Sequence, residues 1–437
     1  MNSVSIQKIS RHFDIEINDI ASDKSISHRS VLFSLLAKDT CKISNFLRGE
    51  DTLNTLKIAQ HLGASVQDDG KCITITPPNE IEEPSEILDC GNSGTGIRLL
   101  CGLLASRAHK MFILTGDSSI RTRPMGRIIA PLNSNGANIL GRQENTLAPI
   151  VIKGVEPKSF HYESLISSAQ VKSALLFYGL FAKENSSIVE PSLSRDHTEI
   201  MLQKLGAKVS TVNADKTTIH LEPISGKLDA FSLAVPSDPS SGFFFAVVAC
   251  LIPNAKITLK NILLNDTRIE AYKVLQKMGA DIEFRVTSEA FEQVGDIIIS
   301  HAPLRAVEVS ENIAWLIDEI PALAIAFCVA EGRSKIKNAK ELRTKESDRI
   351  ASVVKNLQLF NVEVLEYEDG FEILGKEIQE WQKSDFAHIA VQSYGDHRIA
   401  MSFAVLGLLC GASIQNTQCV ATSFPNFFPL LESLSKQ

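Results

Sequence analysis

Basic and hydroxyl side chains recur near the predicted starts of apolar helices in this sequence. Lys24, Ser25 and Arg29 occur in one such segment, and His397 with Arg398 in another. Free backbone N–H groups and the helix dipole both favour negative charge at a helix N-terminus. Arginine also pairs with phosphate or carboxylate through two parallel hydrogen bonds. The sequence therefore predicts a site for a small substrate that carries several negative charges.

Further residues of the same kinds stand at comparable places. They are Arg98, Ser168, Gln170 and the clusters 121–124, 194–197 and 342–349. Taken singly, each cation is an ordinary surface charge, and only the recurrence favours a common site. The glycine-rich string 91–96 resembles a phosphate loop, but no lysine follows it as a P-loop requires, and it does not fit the dinucleotide fingerprint. It therefore does not indicate ATP binding.

Two acidic positions point to proton transfer. Asp318 precedes a wholly apolar predicted helix, and Glu346 lies inside a basic cluster. A carboxylate does not help to bind an anion, whereas a carboxylate tuned by neighbouring charges can move protons. For Asp318, capping of the following helix is an equally good interpretation on these grounds alone.

Composition limits the class of protein. The chain has 437 residues and a net charge of −7, which disfavours a general nucleic-acid binder. The longest apolar runs have about 11 residues, whereas a membrane span needs roughly 20. The first ten residues contain no apolar signal segment. Eight scattered cysteines without a C-x-x-C pair are typical of reduced core thiols in a cytoplasmic protein. The ten histidines show no metal-ligand spacing.

A segment with a polar start and an apolar helical body recurs six times, about every 70 to 80 residues. The copies begin at Asp23, Gly91, Ser167, Asp238, Asp318 and Asp396. In five copies a second helix follows and ends at a residue that tolerates a left-handed backbone, namely Gly63, Gly136, Gly206, Gly279 or Asn361. Two short strands with a turn between them come next, and Asp69-Gly70 and Asp369-Gly370 are predicted hairpin turns.

The two chain ends are predicted to meet. The sixth copy lacks closing strands and the N-terminus holds an orphan strand pair, so residues 1–20 are predicted to complete the last module. The fold class is then α/β, with two domains of three modules each. One domain is 23–237, the other is 1–22 with 238–437, and a hinge lies near 22–23 and 237–238.

The whole chain resembles the 5-enolpyruvylshikimate-3-phosphate synthase family. The matching motifs follow the family's order and spacing, and they are 23–29, 91–98, 123–126, 168–174, 318–319, 345–349, 396–398 and 422–425. The resemblance implies a two-domain inside-out α/β barrel, with three βαβαββ units per domain and six repeats in all.

The resemblance also implies a reaction. Shikimate-3-phosphate and phosphoenolpyruvate combine by addition and elimination, with no metal and no organic cofactor. The 5-hydroxyl attacks C2 of phosphoenolpyruvate while the methylene is protonated, and the tetrahedral intermediate then loses phosphate. Two small anionic substrates, the inhibitor glyphosate, no nucleic acid, no membrane and a cytoplasmic monomer are expected.

Carried over position by position, the resemblance implies three sets of site residues. The shikimate-3-phosphate set is Lys24, Ser25, Arg29, Ser168, Ala169, Gln170, Arg195, Asp318 and Lys345. The phosphoenolpyruvate set is Lys24, Asn92, Gly94, Thr95, Arg123, Gln170, Arg349, His397 and Arg398. The catalytic set is Lys24, Asp318, Lys345 and Glu346, and the division of acid and base among these four stays open.

The sequence departs from the glyphosate-sensitive branch of the family at several positions. Ala169, Thr422, Glu341 and Leu99 stand where that branch or many members have Ser, Lys, Asn and Pro, and several motifs look more like the class II branch. Gly94 leaves open the space that a methyl group fills in tolerant members, which favours inhibition by glyphosate. Leu99 and Thr422 favour weaker inhibition, so intermediate inhibition is expected. The homologous UDP-N-acetylglucosamine enolpyruvyl transferases carry a Cys in the loop that here reads 116–121 without one. A non-catalytic phosphosugar-binding protein is the other alternative.

Overall fold

A computed structural model of the chain describes residues 3–9, 12–289 and 291–436. By its internal contacts the chain divides into two units. One is residues 22–235, called here the central unit. The other joins residues 1–21 to 236–437 and is called the terminal unit. The divisions fall within two residues of the domain limits expected from the repeats.

The strands are short. They are β1 (Ser3–Ile6), β2 (Asp14–Ile17), β3 (Cys41–Ser44), β4 (Ser65–Asp68), β5 (Cys72–Thr76), β6 (Leu88–Asp89), β7 (Met111–Thr115), β8 (Asn138–Gly141), β9 (Leu147–Lys153), β10 (His161–Glu163), β11 (Ser186–Glu190), β12 (Val209–Asn213), β13 (Thr217–Leu221), β14 (Ser232–Ala234), β15 (Lys256–Leu263), β16 (Asp281–Glu289), β17 (Gln293–Ser300), β18 (Glu308–Val309), β19 (Arg333–Ile336), β20 (Val364–Tyr367), β21 (Gly370–Leu374), β22 (Ala390–Gln392) and β23 (Ala412–Gln415).

The helices alternate with these strands. They are α1 (Lys24–Ser34), α2 (Glu50–His61), α3 (Gly94–Ala105), α4 (Gly126–Ser134), α5 (Arg142–Asn145), α6 (Ala169–Gly179), α7 (His197–Lys204), α8 (Pro239–Leu251), α9 (Glu270–Lys277), α10 (Ile313–Leu316), α11 (Ile320–Phe327), α12 (Arg349–Leu359), α13 (Ile378–Lys383), α14 (His397–Cys410) and α15 (Phe427–Lys436). Short 3-10 helices cover Ile120–Thr122, Lys340–Thr344 and Thr417–Thr422.

The central unit contains three four-stranded sheets of one design. Their strand orders are β14-β3-β5-β4, β6-β7-β9-β8 and β10-β11-β13-β12. In each, the first two strands are parallel and the next pairings are antiparallel. A single helix connects the two parallel strands of the second and third sheets, whereas the strand parallel to β3 in the first sheet is β14. The first module therefore takes its opening strand from the end of the unit, at 232–234.

The terminal unit repeats this design with one difference at the chain start. Its sheets are β16-β17-β15-β2, β18-β19-β21-β20 and β1-β23-β22. Strand β1 pairs antiparallel with β23 and completes the last module, as expected. Strand β2 instead pairs parallel with β15 and opens the fourth module. The expectation that all of residues 1–20 complete the last module is therefore wrong for β2.

Six helices form the interiors of the two units. In the central unit α1, α3 and α6 are buried along most of their lengths, and in the terminal unit α8, α11 and α14 are buried throughout. Four of these helices begin directly after a capping side chain. Asp23, Ser93, Asp238 and Asp396 accept a backbone N–H there and cap four of the six.

The second helix of each repeated segment ends as the sequence predicts. Gly63, Gly136, Gly206, Gly279 and Asn361 all have positive φ angles, between 55° and 107°. One predicted turn is placed differently. Gly70 lies in its turn with φ 87°, but Gly370 is the first residue of β21. A Cβ at Gly370 would lie 2.0 Å from the carbonyl oxygen of Ile336, so this glycine allows close strand approach rather than a turn.

Within the described part of the chain, the longest apolar helices fall short of the length that crossing a membrane requires.

Candidate active site

The start of α1 places Lys24, Ser25 and Arg29 on one helix. The Lys24 ammonium forms an ion pair with Asp51 of α2, whose side chain is 3% exposed. Arg29 is buried, and its guanidinium donates to Thr198 Oγ1 at 2.8 Å and Ser173 Oγ at 3.0 Å. Arg29 thus ties α1 to both α6 and α7. Asp51 is not predictable as a partner from the sequence, since an acidic first turn of a helix is usually explained by the helix dipole.

The start of α3 brings a second predicted set together. Ser93 caps this helix by accepting the Gly96 N–H at 2.9 Å. One helical turn later, Arg98 Nη1 donates to Gln170 Oε1 at 2.6 Å. The Gln170 amide in turn donates to Thr95 Oγ1 at 3.2 Å. The amide orientation of Gln170 is therefore fixed by one partner on each side.

Arg123 lies directly against the backbone of Gly94. A Cβ built on Gly94 would stand 2.9 Å from the Arg123 guanidinium carbon. Arg123 is 8% exposed and follows the 3-10 helix Ile120–Thr122. Nearby, the Asn92 amide donates to Asp117 Oδ2 at 2.8 Å. Because Gly94 has no Cβ, the Arg123 guanidinium can approach the start of α3.

Ser168 is the N-cap residue of α6, and Ala169 is its first helical residue. Unlike Ser93, Ser168 makes no capping hydrogen bond with its side chain. Arg195 lies on the loop between β11 and α7. These residues and those at the starts of α1 and α3 all belong to the central unit.

His28 links α1 to α2 and to the start of α3 through two hydrogen bonds. Its Nδ1 lies 2.8 Å from Thr55 Oγ1, and its Nε2 lies 3.3 Å from Ser93 Oγ. Burial lowers the pKa of His28 well below its usual value, and the charges of Lys24 and Arg29 lower it further. A neutral imidazole fits the chain, since Thr55 can accept from Nδ1–H while Ser93 donates to Nε2. His28 is thus a structural residue that joins three helices.

In the terminal unit, Arg349 binds three carboxylates. Its guanidinium donates to Asp396 Oδ2 at 2.8 Å, to Glu346 Oε2 at 2.7 Å and to Asp318 Oδ1 at 3.1 Å. Its side chain is 2% exposed. Burial alone would lower the pKa of Arg349, but Asp396, Glu346 and Asp318 outweigh burial and raise it. One permanently charged group therefore holds the two predicted proton-transfer carboxylates together.

The N-cap position of α11 is occupied by Glu319 rather than Asp318. The carboxylate of Asp318 is directed to Arg349 instead, and 24% of its side chain is exposed. Asp318 is therefore held by Arg349 and does not cap this helix.

His397 and Arg398 begin α14 behind the cap residue Asp396. Asp396 Oδ1 accepts the Arg398 backbone N–H at 2.8 Å. The Arg398 guanidinium donates to the Ser240 carbonyl at 3.4 Å and lies 5.9 Å from the centre of the Phe244 ring. Asp396 therefore holds the Arg349 guanidinium and also caps the helix that carries Arg398.

Lys345 pairs with Glu341, the residue that stands in place of the Asn of the glyphosate-sensitive branch. The distance from Lys345 Nζ to Glu341 Oε1 is 3.0 Å, and the two side chains are 16% and 38% exposed. Because the pair is partly exposed, the ammonium remains accessible on one side. The substitution at this position thus gives Lys345 a carboxylate partner within one turn.

Comparison with known proteins decides the family. The family model described as EPSP synthase (3-phosphoshikimate 1-carboxyvinyltransferase) matches residues 9–431. The chain belongs to the EPSP synthase family. A 3-phosphoshikimate 1-carboxyvinyltransferase from Nitratiruptor sp. is 52% identical over 438 residues, covering 100% of this chain and 99% of the relative. One from Campylobacter concisus is also 52% identical, covering 98% and 97%.

Solved structures agree with this assignment. EPSP synthase from Acinetobacter baumannii superposes with a TM-score of 0.84 at 36% identity, covering 99% of this chain and 98% of that one. An enolpyruvyl transferase from Streptomyces tendae has a TM-score of 0.77 at 14% identity, which shows a common fold alone. The expected two-domain α/β fold is confirmed.

This member of the EPSP synthase family is an enzyme of the shikimate pathway. It transfers the enolpyruvyl group of phosphoenolpyruvate to the 5-hydroxyl of shikimate-3-phosphate and releases phosphate. The reaction proceeds by addition and elimination through a tetrahedral intermediate, toward chorismate and the aromatic amino acids. Glyphosate is the known inhibitor of the family. The UDP-N-acetylglucosamine transferase and the non-catalytic binding protein are thereby excluded.

Proposed function

We propose that the helix starts of the central unit bind the anionic groups of both substrates. Shikimate-3-phosphate is assigned to Lys24, Ser25, Arg29, Ser168, Ala169, Gln170 and Arg195, with Asp318 and Lys345. Phosphoenolpyruvate is assigned to Lys24, Asn92, Gly94, Thr95, Gln170 and Arg123, with Arg349, His397 and Arg398. The bonded set of Thr95, Arg98 and Gln170 supports this assignment, because its polar groups are already oriented before a substrate arrives.

Asp318 takes the proton of the 5-hydroxyl in this proposal, while Glu346 and Lys345 deliver a proton to the methylene of phosphoenolpyruvate and later remove one. The single observation that carries it is the bridge from Arg349 to Asp318 and Glu346. Two carboxylates bonded to one buried cation are held at a fixed separation. Proton transfer by positioned groups contributes about 10²–10⁴-fold to rate.

The test is phosphate release with both substrates present. Asp318→Ala should lower kcat by about 10²-fold or more, with little effect on the KM for phosphoenolpyruvate. Glu346→Gln should lower kcat and also slow the incorporation of deuterium into the product methylene during turnover in D2O. Near-normal turnover in Asp318→Ala would exclude it as the base, and normal deuterium incorporation in Glu346→Gln would exclude that residue as the methylene acid.

The chain is further proposed to act as a monomer in the cytoplasm, without nucleic-acid partners. All eight cysteines are free thiols, and most are buried. Burial raises the pKa of several of them, for example that of Cys101 to about 12. Unpaired thiols of this kind persist in a reducing compartment. Sedimentation at several protein concentrations tests the monomer, and a mass that rises with concentration contradicts it.

A further inference from the structure

Three charged side chains are buried together inside the central unit, outside the proposed substrate contacts. Lys172 Nζ lies 2.9 Å from Glu190 Oε1 and 2.7 Å from Glu199 Oε1. The three side chains are only 1%, 1% and 3% exposed. Removal of charges from water is expensive, and replacement of a buried ion cluster by apolar residues is often neutral or stabilising. A role in stability alone therefore explains this cluster poorly.

The cluster connects one helix to both ends of one loop. Lys172 lies in the first turn of α6, Glu190 is the last residue of β11, and Glu199 lies in the first turn of α7. The loop between β11 and α7 is 191–196, and it carries Arg195. The ammonium of Lys172 is thus bonded to the element before this loop and to the element after it.

The residue before Arg195 is held at three points by the same cluster. Ser194 donates its backbone N–H to Glu190 Oε1 at 2.7 Å and its hydroxyl to Glu190 Oε2 at 2.8 Å. The Ser194 carbonyl accepts from Lys172 Nζ at 3.2 Å. Loss of Lys172 would remove the bond to the Ser194 carbonyl and the cation that holds Glu190, so the backbone from which Arg195 projects would shift.

The helix that carries Lys172 also carries the other proposed contacts to shikimate-3-phosphate. Ser168 occupies the N-cap position of α6, and Gln170 lies two residues before Lys172. A substrate that binds both Gln170 and Arg195 requires a fixed distance between α6 and the loop that carries Arg195. With 1% exposure, Lys172 itself offers no surface to a substrate.

We propose that Lys172, with Glu190 and Glu199, is a positioning residue that holds the Arg195 loop in register with the start of α6 for binding shikimate-3-phosphate. This inference rests on the proposed assignment of Arg195 and Gln170 to that substrate. Lys172 thus affects the binding of shikimate-3-phosphate through Arg195 and does not affect the binding of phosphoenolpyruvate.

The experiment is a double-mutant cycle on the full-length enzyme with Lys172→Met and Arg195→Ala. The KM for each substrate is measured in all four proteins. Lys172→Met should raise the KM for shikimate-3-phosphate by about tenfold or more, since small misplacements of binding groups are costly. The KM for phosphoenolpyruvate should change less than about twofold. In the Arg195→Ala background, Lys172→Met should have little further effect.

Two further variants separate positioning from folding. Leu176→Ala forms a cavity in the buried part of the same helix, and it should leave the ratio of the two KM values unchanged. Lys172→Arg keeps the charge but enlarges the group, so it should fold and still raise the KM for shikimate-3-phosphate by about threefold or more. If Lys172→Met does not fold, Lys172→Arg decides the question in its place.

The outcomes distinguish the proposed substrate contact of Arg195 from the positioning role of Lys172. If Arg195→Ala alone leaves the KM for shikimate-3-phosphate unchanged, the proposed function of Arg195 fails. If Arg195→Ala raises it but the Lys172 variants do not, only the positioning role is overturned. Equal increases in both KM values, or full additivity in the cycle, also overturn it.

Discussion

At the scale of single residues, the proposed contact of Lys24 to phosphoenolpyruvate can be tested together with its ion pair to Asp51. Lys24→Met should lose a charge-assisted contact to phosphoenolpyruvate, worth about 1.5–3 kcal/mol, and kcat/KM should fall accordingly. It should also destabilise the fold, because Asp51 is 3% exposed and would lose a cationic partner. Kinetics and urea unfolding measure the two effects.

The double variant Lys24→Met/Asp51→Asn separates these effects. Removal of the buried charge should restore much of the unfolding free energy while kcat/KM stays low. If activity recovers together with stability, Lys24 contributes only to folding and the proposed contact to phosphoenolpyruvate is wrong.

A methyl group at Gly94 would act on Arg123 as well as on glyphosate. In Gly94→Ala the new Cβ lies 2.9 Å from the guanidinium carbon, so the flexible end of Arg123 must move. We expect the KM for phosphoenolpyruvate to rise, and the glyphosate inhibition constant to rise further because the inhibitor is the longer molecule. Overpacking a tight site typically costs about 1–3 kcal/mol.

Gly126→Ala is the matched control for that prediction. Its Cβ would have no described neighbour nearer than 3.7 Å, which is ordinary contact. Titrations with both ligands on the two variants and the wild type give the comparison. An unchanged glyphosate affinity in Gly94→Ala would refute the steric explanation of this position.

At the scale of elements, His28 makes the junction of α1, α2 and the α3 start sensitive to acid. Its pKa is lowered in the folded protein, mainly by burial, so below the unfolded value of about 6.5 the unfolded chain binds a proton that the folded chain does not. Stability contributed by neutral His28 is therefore full above about pH 6.5 and is lost as the pH falls below it, by at most about 1.4 kcal/mol per pH unit.

His28→Gln checks this sign. Glutamine cannot be protonated, so between pH 7.5 and 5.5 the wild type should lose more unfolding free energy than the variant does. The difference should be on the order of 1 kcal/mol in urea unfolding. Parallel pH profiles for the two proteins would show that His28 is protonated in the folded state as readily as in the unfolded chain.

The repeated helix endings show why local structure was predictable. Each ending needs a residue with positive φ, and glycine or asparagine supplies it wherever the chain turns from the helix into a strand. The misplaced turn at Gly370 has the opposite origin. Glycine is required at position 370 because Ile336 on the neighbouring strand lies close to it, and no local sequence pattern reveals that contact.

At the scale of the whole molecule, we propose that shikimate-3-phosphate draws the two units together about the crossings near residues 22–23 and 237–238. In this proposal the doubly charged phosphate of the substrate attracts cationic side chains of both units. Small-angle scattering should show a smaller radius of gyration with saturating shikimate-3-phosphate than without it. Shikimate, which lacks the phosphate, should have a smaller effect, and an unchanged radius at saturation counts against the hinge.

The sequence by itself determined the six modules, their helix caps and stops, and the family. The modules, caps and stops depend on residues that are close together along the chain, so local patterns predict them. The family follows from the resemblance of its motifs. The sequence also identified Lys24, Asp318, Glu346 and Arg349 as candidate residues by type, although it did not give their partners.

Tertiary structure decided which groups meet. It paired Lys24 with Asp51, set Arg123 against Gly94, and brought Asp318 and Asp396 to one guanidinium. It also joined β2 to the fourth module instead of the last. The members of these pairs lie roughly 30 to 240 positions apart, and a contact over such a span depends on packing and strand register, which the local pattern of residue types does not specify.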